Sequence, residues 1–182
     1  MKRKLIFLVG ASGAGKDTVA DYLCRAHGFS KIPSYTTRGM RKGEEQGREH
    51  TFIHAWVVPD PPTWCERNDL HCLAYTKFGG EWYWSTVEQV ERAQGDIVYI
   101  IDEKGLVDLF GHDKSIRQMM DDNFNYEVWQ IVRPNNPTDA VRQERDKDRI
   151  VLPDSWYDRV IVNDGDLHQL EVQVDEFIIR NS

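Results

Sequence analysis

The stretch FLVGASGAGKDTVADYL, residues Phe7–Leu23, has the residue types and the spacing that bind a polyphosphate. Gly10, Gly15 and Lys16 satisfy the pattern G-x-x-x-x-G-K-[ST] as far as the lysine. In that pattern, backbone N–H groups surround the phosphates and the lysine reaches the β- and γ-phosphates. We therefore expect this loop and the first turn of the following helix to bind ATP. The residues concerned are Gly10, Ala11, Ser12, Gly13, Ala14, Gly15, Lys16, Asp17 and Thr18.

The last position of the pattern departs from it, because Asp17 stands where a Ser or Thr hydroxyl usually binds Mg²⁺. A carboxylate can bind Mg²⁺ directly or through water, or it can simply stabilise the N-terminus of the following helix. The hydroxyl of Thr18 is no simple replacement, because one residue turns a helix by about 100°. We expect ATP binding to be retained, since the backbone and Lys16 do not depend on this side chain.

Length, composition and charge limit the classes of protein to which the chain can belong. With 182 residues, 40% of them hydrophobic, it is long enough for one domain or for a domain with a small lid. A formal net charge of -7 argues against a polymeric nucleic acid or a membrane surface as the partner. The apolar run Leu5–Val9 is too short for a signal peptide, and the three cysteines fit reduced thiols. A cytoplasmic monomer or homodimer is therefore expected.

Short apolar runs alternate with helical patterns along the chain, which is typical of an α/β protein with a parallel sheet. The predicted buried strands are Leu5–Val9, Asp96–Asp102, Glu127–Val132 and Arg159–Val162. The predicted helices are Thr18–Ala26, one that begins at Ser85 or Thr86, Lys104–Phe110, the charged stretch Pro137–Arg149 and Leu167–Ile179. Thr51–Val58 is predicted to be a strand and Pro59–Pro62 a loop. Asp102 ends a buried strand, where an acid can organise the water shell of a metal ion.

The segment Ser34–Ile53, SYTTRGMRKGEEQGREHTFI, contains two arginines that are suited to a phosphate. Arg38 and Arg41 are three residues apart, and a guanidinium group binds two oxygens at once. The segment resembles the acceptor-binding segment of guanylate kinases, S-x-T-T-R-x-x-R-x-G-E-x-x-G-x-x-Y-x-F. The matching residues are Ser34, Thr36, Thr37, Arg38, Arg41, Gly43, Glu44, Gly47 and Phe52. This resemblance implies that Ser34 contacts the acceptor and that the two arginines hold its monophosphate.

Three further stretches are similar to the same family. FGGEWYWST resembles F-x-G-N-Y-Y-G-T, which implies that Tyr83 contacts the acceptor phosphate and that Ser85 lies near the base. IVYIIDEKG resembles V-L-L-E-I-D-V-Q-G, which implies that Asp102 stands near Mg²⁺ and the acceptor. YDRVIVNDG resembles Y-D-x-V-I-V-N-D, which implies that Asn163 lies near the adenine or closes the last strand.

The resemblance also implies an architecture, that of a P-loop NTPase with a parallel sheet flanked by helices, a small acceptor-binding region and a short lid. The single domain 1–182 would have its core at about 1–33, 85–135 and 157–182, its acceptor-binding region at about 34–84 and its lid at about 136–156. In the lid, Arg142, Arg145 and Arg149 share one helix face. They can form surface ion pairs, but Arg145 and Arg149 are expected to act in catalysis with Lys16 and Asp102.

Several positions differ from the family pattern on the acceptor side. His50 replaces a tyrosine that helps to hold the acceptor phosphate, and it can still donate a hydrogen bond. Ala74 stands where a glutamate reads the base, and only a rebuilt loop would let Glu66 or Asp69 take over that role. Trp84 replaces a glycine and is expected to reshape the base pocket or to stack on the base.

Together, the motifs predict an ATP- and Mg²⁺-dependent phosphotransferase that acts on a nucleoside monophosphate, with GMP or dGMP as the first acceptor to test. Asp17 and Ala74 leave two other acceptor classes open. One is ribose 1,5-bisphosphate, whose guanylate-kinase-like kinases have a G-K-D-S loop, and the other is the deoxynucleotides of phage-type kinases. A non-catalytic binding domain with the same fold is a third alternative, although such domains have usually lost the lysine that corresponds to Lys16.

Overall fold

The strands and helices of the protein are taken from a computed structural model that describes residues 2–111, 114–135, 146–147 and 149–179. The strands are β1 (Arg3–Val9), β2 (Ser30–Lys31), β3 (Tyr35–Thr36), β4 (Thr51–Phe52), β5 (Cys72–Phe78), β6 (Glu81–Thr86), β7 (Ile97–Ile100), β8 (Phe124–Val132) and β9 (Arg159–Val162). The helices are α1 (Lys16–His27), α2 (Pro61–Arg67), α3 (Val87–Arg92), α4 (Glu103–Gly111), α5 (Lys114–Asn123) and α6 (Leu167–Ile179). Short 3₁₀ helices cover Ala55–Val57 and Asp154–Trp156.

A parallel sheet forms the centre of the described structure, with its strands in the order β2–β7–β1–β8–β9. Both faces of the central strand β1 are buried, as its continuous apolar run predicts. Phe7 belongs to a layer that includes Leu106 of α4 and Met120 of α5. Its neighbour Leu8 points to the other face and joins a layer that includes Leu23 of α1. The predicted parallel sheet with helices on both faces is confirmed.

A second, smaller sheet has the order β4–β3–β6–β5 and mixes parallel with antiparallel pairs. Strands β5 and β6 form a hairpin whose turn, Gly79–Gly80, uses two residues with positive φ. A separate cluster of buried side chains, centred on Val58, Cys65 and Trp84, packs beneath this sheet. Residues 35–86 therefore have a core of their own beside the main sheet.

Two local predictions in this second region are wrong. Pro59–Pro62 was predicted to be a loop, but Asp60 caps helix α2 by accepting a hydrogen bond from the N–H of Thr63 at 2.9 Å. Proline suits the first turn of a helix, where its missing N–H would have no partner, so the two prolines start this helix. The predicted strand Thr51–Val58 is a strand only at β4, because a 3₁₀ helix follows it.

The helix boundaries near the sequence motifs are close to the predicted ones. Thr86 is the N-cap of α3, and its capping box is completed by Gln89. Glu88, in the first turn of α3, accepts hydrogen bonds from His71. Most of the predicted helix Pro137–Arg149 lies outside the described residues. In the part of the chain that is described, every helix is too short or too polar to cross a membrane.

Candidate active site

A pocket of about 220 Å³ opens where the carboxyl ends of β1 and β7 face the second sheet. Parallel strands place the loops that follow them at one edge, which is where α/β proteins bind ligands. Ten of the predicted site residues among those described line this pocket together. They are Gly10, Ser12, Lys16, Ser34, Arg38, Arg41, His50, Tyr83, Asp102 and Arg149.

The other predicted site residues lie outside the pocket lining. These are Ala11, Gly13, Ala14, Gly15, Asp17, Thr18, Ser85 and Asn163. Six of the eight belong to the phosphate loop and the first turn of α1. Arg142 and Arg145 lie outside the described residues, so the position of the second predicted catalytic arginine stays a prediction.

The phosphate loop is held in a shape that requires glycine. Gly15 has φ 109°, and a Cβ atom there would lie 2.5 Å from Nδ2 of Asn163. The same Nδ2 donates a hydrogen bond to the carbonyl oxygen of Ala14 at 2.8 Å. Asn163 follows β9 and donates its own N–H to Val132 at 2.7 Å, so it extends the last strand as one of the two predicted roles requires. Its side chain also fixes the loop against that strand.

Lys16 lies at the inner side of the loop. Its Nζ donates to the carbonyl oxygens of Gly10 at 2.7 Å and Ala11 at 2.9 Å. Burial lowers the pKa of Lys16, and the charges of nearby carboxylates, first of all Asp17, oppose that change. The loop therefore holds a desolvated ammonium group at the edge of the pocket.

Asp17 lies outside the pocket lining and pairs with a lysine that the sequence motifs did not indicate. Its carboxylate lies 3.0 Å from Nζ of Lys31, which is also 3.3 Å from Asp21. Burial alone would lower the pKa of Lys31, but the two carboxylates raise it. The side chain of Asp17 is 76% exposed, whereas that of Lys31 is 17% exposed. The negative charge at the unusual loop position is thus offset by a lysine at the end of β2.

In the part of the pocket lined by Ser34, Arg38 and Arg41, the guanidinium group of Arg38 forms a bidentate ion pair with Glu44. Both N···O distances are 2.9 Å, and Arg38 also stacks over Phe52. The hydrogen bond from Arg38 lowers the pKa of Glu44 to about 2. Glu44 accepts a further hydrogen bond from the backbone N–H of Arg41 at 2.7 Å. One carboxylate therefore fixes both predicted phosphate-binding positions, a role that the sequence motif alone did not assign.

His50 completes this wall of the pocket beside Ser34 and Tyr83. Oγ of Ser34 lies 2.9 Å from Nδ1 of His50, and the rings of His50 and Tyr83 are 5.7 Å apart. Burial, and then the charge of Arg38, lower the pKa of His50 below its usual 6.5. The imidazole is therefore neutral at pH 7. Depending on its tautomer, Nδ1 of His50 donates a hydrogen bond to the Ser34 hydroxyl or accepts one from it.

Asp102 lies in the pocket and also caps helix α4. Its carboxylate accepts a hydrogen bond from the N–H of Gly105 at 2.7 Å. Burial raises the pKa of Asp102. A Cβ atom on Gly105 would come within 3.1 Å of the same carboxylate, so glycine lets the helix turn close around this acid.

Two acidic residues that the sequence motifs did not indicate also line the pocket. The carboxylate of Glu103, which is almost fully buried, pairs with the guanidinium group of Arg149. The carboxylate of Asp146 accepts hydrogen bonds from the backbone N–H of Ser12. Glu103 directly follows Asp102 after strand β7, and this position in the sequence could have indicated that its side chain lies in the pocket. Asp146 reaches the site only through the path of the chain after β8, which no motif in the sequence indicates.

The expectation that Trp84 stacks on the base is wrong, because its side chain is fully buried in the core of the second sheet. It stacks on Tyr35 at 5.4 Å and packs edge-on against Trp64 at 5.1 Å. Side chains alternate along a strand, so the next residue, Ser85, points to the opposite face. There its hydroxyl is buried and has no hydrogen-bond partner among the described residues. A direct contact between Ser85 and an acceptor stays a prediction.

Ala74 lines the pocket opposite Ser85 in the register of β5 with β6. A methyl group thus occupies the position where the family pattern has a base-reading glutamate. Glu66 and Asp69 are exposed and lie outside the pocket lining, so the fold does not bring either of them in as a substitute. Thr76 and Tyr99 are polar residues that line the same pocket.

Comparison with known proteins agrees with the motifs and the geometry. A family model described as guanylate kinase matches residues 2–106. A guanylate kinase of Oleidesulfovibrio alaskensis is 29% identical over 170 residues, covering 88% of this chain and 80% of that protein. One from Clostridium tetani is 33% identical over 108 residues, covering 57% of this chain but 49% of that protein.

A solved structure shows the same fold at low sequence identity. The crystal structure of guanylate kinase from Anaplasma phagocytophilum superimposes with a TM-score of 0.63 and 16% identity. The superposition covers 100% of this chain and 87% of that chain. A family model that matches more than half of the chain shows that the chain belongs to the guanylate kinase family.

Proposed function

We propose that the protein transfers the γ-phosphoryl group of ATP to a nucleoside monophosphate, with GMP as the first acceptor. The observation that supports this proposal is that Lys16 of the phosphate loop lines the same pocket as Arg38 and Arg41. A phosphotransferase needs two anion sites that open into one another, and we propose the phosphate loop and the two arginines as these sites. The guanylate kinases among the relatives support GMP as the acceptor.

The reaction would depend on positioning and on charge. Arg38 and Arg41 would hold the acceptor phosphate, and Ser34, His50 and Tyr83 would surround it. The acceptor phosphate is already anionic, so it can attack the γ-phosphate in line without a strong general base. Lys16 and Arg149 would offset the charge that builds up on the transferred group, with Arg145 as a second proposed arginine. Closing the pocket would exclude water and prevent ATP hydrolysis.

The residues present fit a requirement for Mg²⁺ in part. Asp102 offers carboxylate oxygens in the pocket, close to the phosphate loop, which suits a cation that keeps several waters and binds phosphates. Asp17 is paired with Lys31, so its carboxylate would act through water rather than as a free ligand. Within the described residues, acidic, histidine and cysteine side chains do not form a cluster of three able to hold a metal. When bound, Mg²⁺ would neutralise phosphate charge.

Within this proposal, residues 1–33, 85–135 and 157–182 form the core, 34–84 the acceptor-binding region and 136–156 the lid. The second sheet and its separate cluster of buried side chains support the boundary of the acceptor-binding region. Lid motion of this kind is common in kinases that must exclude water. We place the protein in the cytoplasm, where ATP and nucleotides are available.

Other acceptors remain candidates because Ala74 lines the pocket where a carboxylate is expected to read guanine. A base-free sugar phosphate such as ribose 1,5-bisphosphate, or a deoxynucleotide with another base, would not need that carboxylate. Lys16 disfavours a purely non-catalytic binding domain, since its ammonium group lies within the loop.

A screen for ADP release tests the proposal and its alternatives together. ATP and Mg²⁺ would be supplied with each ribo- and deoxynucleoside monophosphate, and with ribose 1,5-bisphosphate. Turnover of GMP or dGMP is the expected result, and Lys16→Met, which removes the ammonium group, should abolish it. Normal ATP binding without turnover of any acceptor would overturn the kinase proposal. Turnover of the sugar bisphosphate alone would reassign the acceptor.

A further inference from the structure

Glu103 and Arg149 form an ion pair in the wall of the pocket. Glu103 is the first residue of α4 and only 1% of its side chain is exposed, whereas 23% of the Arg149 side chain is exposed. Both residues line the pocket together with Lys16. A buried carboxylate is costly unless it is paired, and Arg149 supplies that partner.

The two partners are anchored very differently. Glu103 lies on a rigid element, because Asp102 caps α4 and the side chain of Ile101 packs against Gly105 one turn along. Arg149 lies outside the helices and strands, and its own N–H donates to the carbonyl oxygen of Asp146 at 3.1 Å. A fixed carboxylate therefore holds a guanidinium group that is supplied by a less regular part of the chain.

The pair is also close enough to Lys16 for all three charges to interact. Glu103 opposes, and Arg149 adds to, the lowering of the pKa of Lys16 by burial. A long arginine side chain loses conformational entropy when it is ordered. A pre-formed ion pair has already taken up part of that loss, so less conformational entropy is lost during the reaction. The catalytic value of an arginine near a transferred phosphoryl group depends on that placement.

We propose that Glu103 is a positioning residue that holds the guanidinium group of Arg149 beside Lys16, ready to contact the phosphoryl group during transfer. This inference rests on the proposed function, since it assigns a role within phosphoryl transfer. Glu103 does not contact the substrate. The negative charge of Glu103 in the pocket opposes ATP binding. Glu103 is therefore expected to raise kcat rather than the affinity for ATP.

Glu103→Gln keeps the shape of the side chain and removes its charge, so it should affect kcat and the KM for ATP differently. We expect kcat to fall roughly 10- to 100-fold because Arg149 loses its fixed position. The KM for ATP is expected to stay constant or to fall, because one negative charge is lost from the pocket. A purely structural ion pair would instead raise the KM and lower stability, with no selective loss of kcat.

The test is a double-mutant cycle measured by steady-state kinetics with ATP and the acceptor that the screen identifies. Its variants are Glu103→Gln, Arg149→Met and the double variant. Arg149→Met is expected to reduce kcat by roughly 10³-fold. In that background Glu103→Gln should change kcat by less than about twofold, because the residue acts through the arginine. Glu88→Gln is the matched control, since Glu88 pairs with His71 outside the pocket.

Glu103→Asp keeps the charge but shortens the side chain by one methylene group, and it should recover part of the kcat that Gln loses. It also serves as the test variant if thermal unfolding shows that Glu103→Gln does not fold. The positioning role is overturned if Glu103→Gln lowers kcat equally in both backgrounds, or if both Glu103 variants keep the wild-type kcat. A wild-type protein that binds ATP without turning over any acceptor would overturn the proposed function as well.

Discussion

The backbone N–H of Ser12 donates to the carboxylate of Asp146, at 3.2 Å to Oδ1 and 3.1 Å to Oδ2. An anion that belongs to the chain itself therefore lies against the phosphate loop. The N–H groups of such a loop bind anions in general, and a carboxylate is a chemically reasonable occupant. ATP phosphates would have to share this donor with Asp146 or displace it.

Asp146→Asn should therefore strengthen ATP binding. The substitution keeps the size of the side chain and removes a negative charge that would repel the triphosphate. We expect the Kd for ATP, measured by titration calorimetry, to fall by about fivefold, which corresponds to about 1 kcal/mol. Asp154→Asn, the same change at an exposed residue outside the pocket lining, is the control and should leave the Kd unchanged. Weaker ATP binding by Asp146→Asn would show that the carboxylate supports the site.

Asp17→Ser restores the hydroxyl that the loop pattern usually contains. We expect ATP binding to be retained, because the backbone and Lys16 keep their places. The Mg²⁺ concentration that gives half-maximal activity should shift, since a hydroxyl replaces a carboxylate that Lys31 neutralises. Asp21→Ser is a matched control, because Asp21 pairs with the same lysine but lies one helical turn farther along α1. An identical Mg²⁺ profile for wild type and Asp17→Ser would contradict a metal-related role.

The main sheet and the phosphate loop could be predicted because their signals are local. Leu5–Val9 is a continuous apolar run, and it lies within the observed strand β1, while β9 was predicted at its observed bounds. The place of Arg38 and Arg41 in the pocket could be predicted because nine motif positions fall in one short segment. In each case the residues that define the feature are close together in the sequence.

The features that were missed depend on contacts between distant parts of the chain. Glu103 meets Arg149, and Asp146 meets Ser12, only after the chain has folded. Trp84 could face either side of its strand, and burial in the second core, which no short pattern reports, decides the direction. Helix α2 carried a local signal, a capping aspartate before two prolines, but the prolines favoured a loop prediction.

Glu44 is expected to make stability depend on pH. Its pKa is lowered to about 2 by Arg38, from a usual value of 4.5. The ion pair therefore contributes its full stability above pH 4.5, and the contribution is lost as the pH falls from there towards about 2. Glu44→Gln should lower the free energy of unfolding by about 1–2 kcal/mol at pH 7. Urea unfolding should show this difference shrinking at pH 4 and again at pH 3.

The neighbouring substitution Glu45→Gln separates this effect from a general change in charge. Glu45 has 69% of its side chain exposed and forms a surface ion pair with Arg48, so its loss should cost less than about 0.5 kcal/mol. Glu44→Gln should also raise the KM for the acceptor, because Arg38 and Arg41 lose their common anchor. A stability difference for Glu44→Gln that is the same at pH 3 and pH 7 would rule out the ionised pair as its cause.

Trp84→Ala should destabilise the second sheet rather than change which base is bound. Removing a fully buried indole that packs against Tyr35 and Trp64 is expected to cost about 3–5 kcal/mol. Trp56→Ala, at an 85% exposed tryptophan, is the matched control and should change the free energy of unfolding by less than about 0.5 kcal/mol. Urea unfolding measures both changes. Because Trp84 lies outside the pocket lining, the ratio of kcat/KM between two acceptors should stay within about twofold for the folded variant. A stable Trp84→Ala variant with altered acceptor preference would place the indole in the base site after all, since only contact with the acceptor could change selectivity without loss of packing.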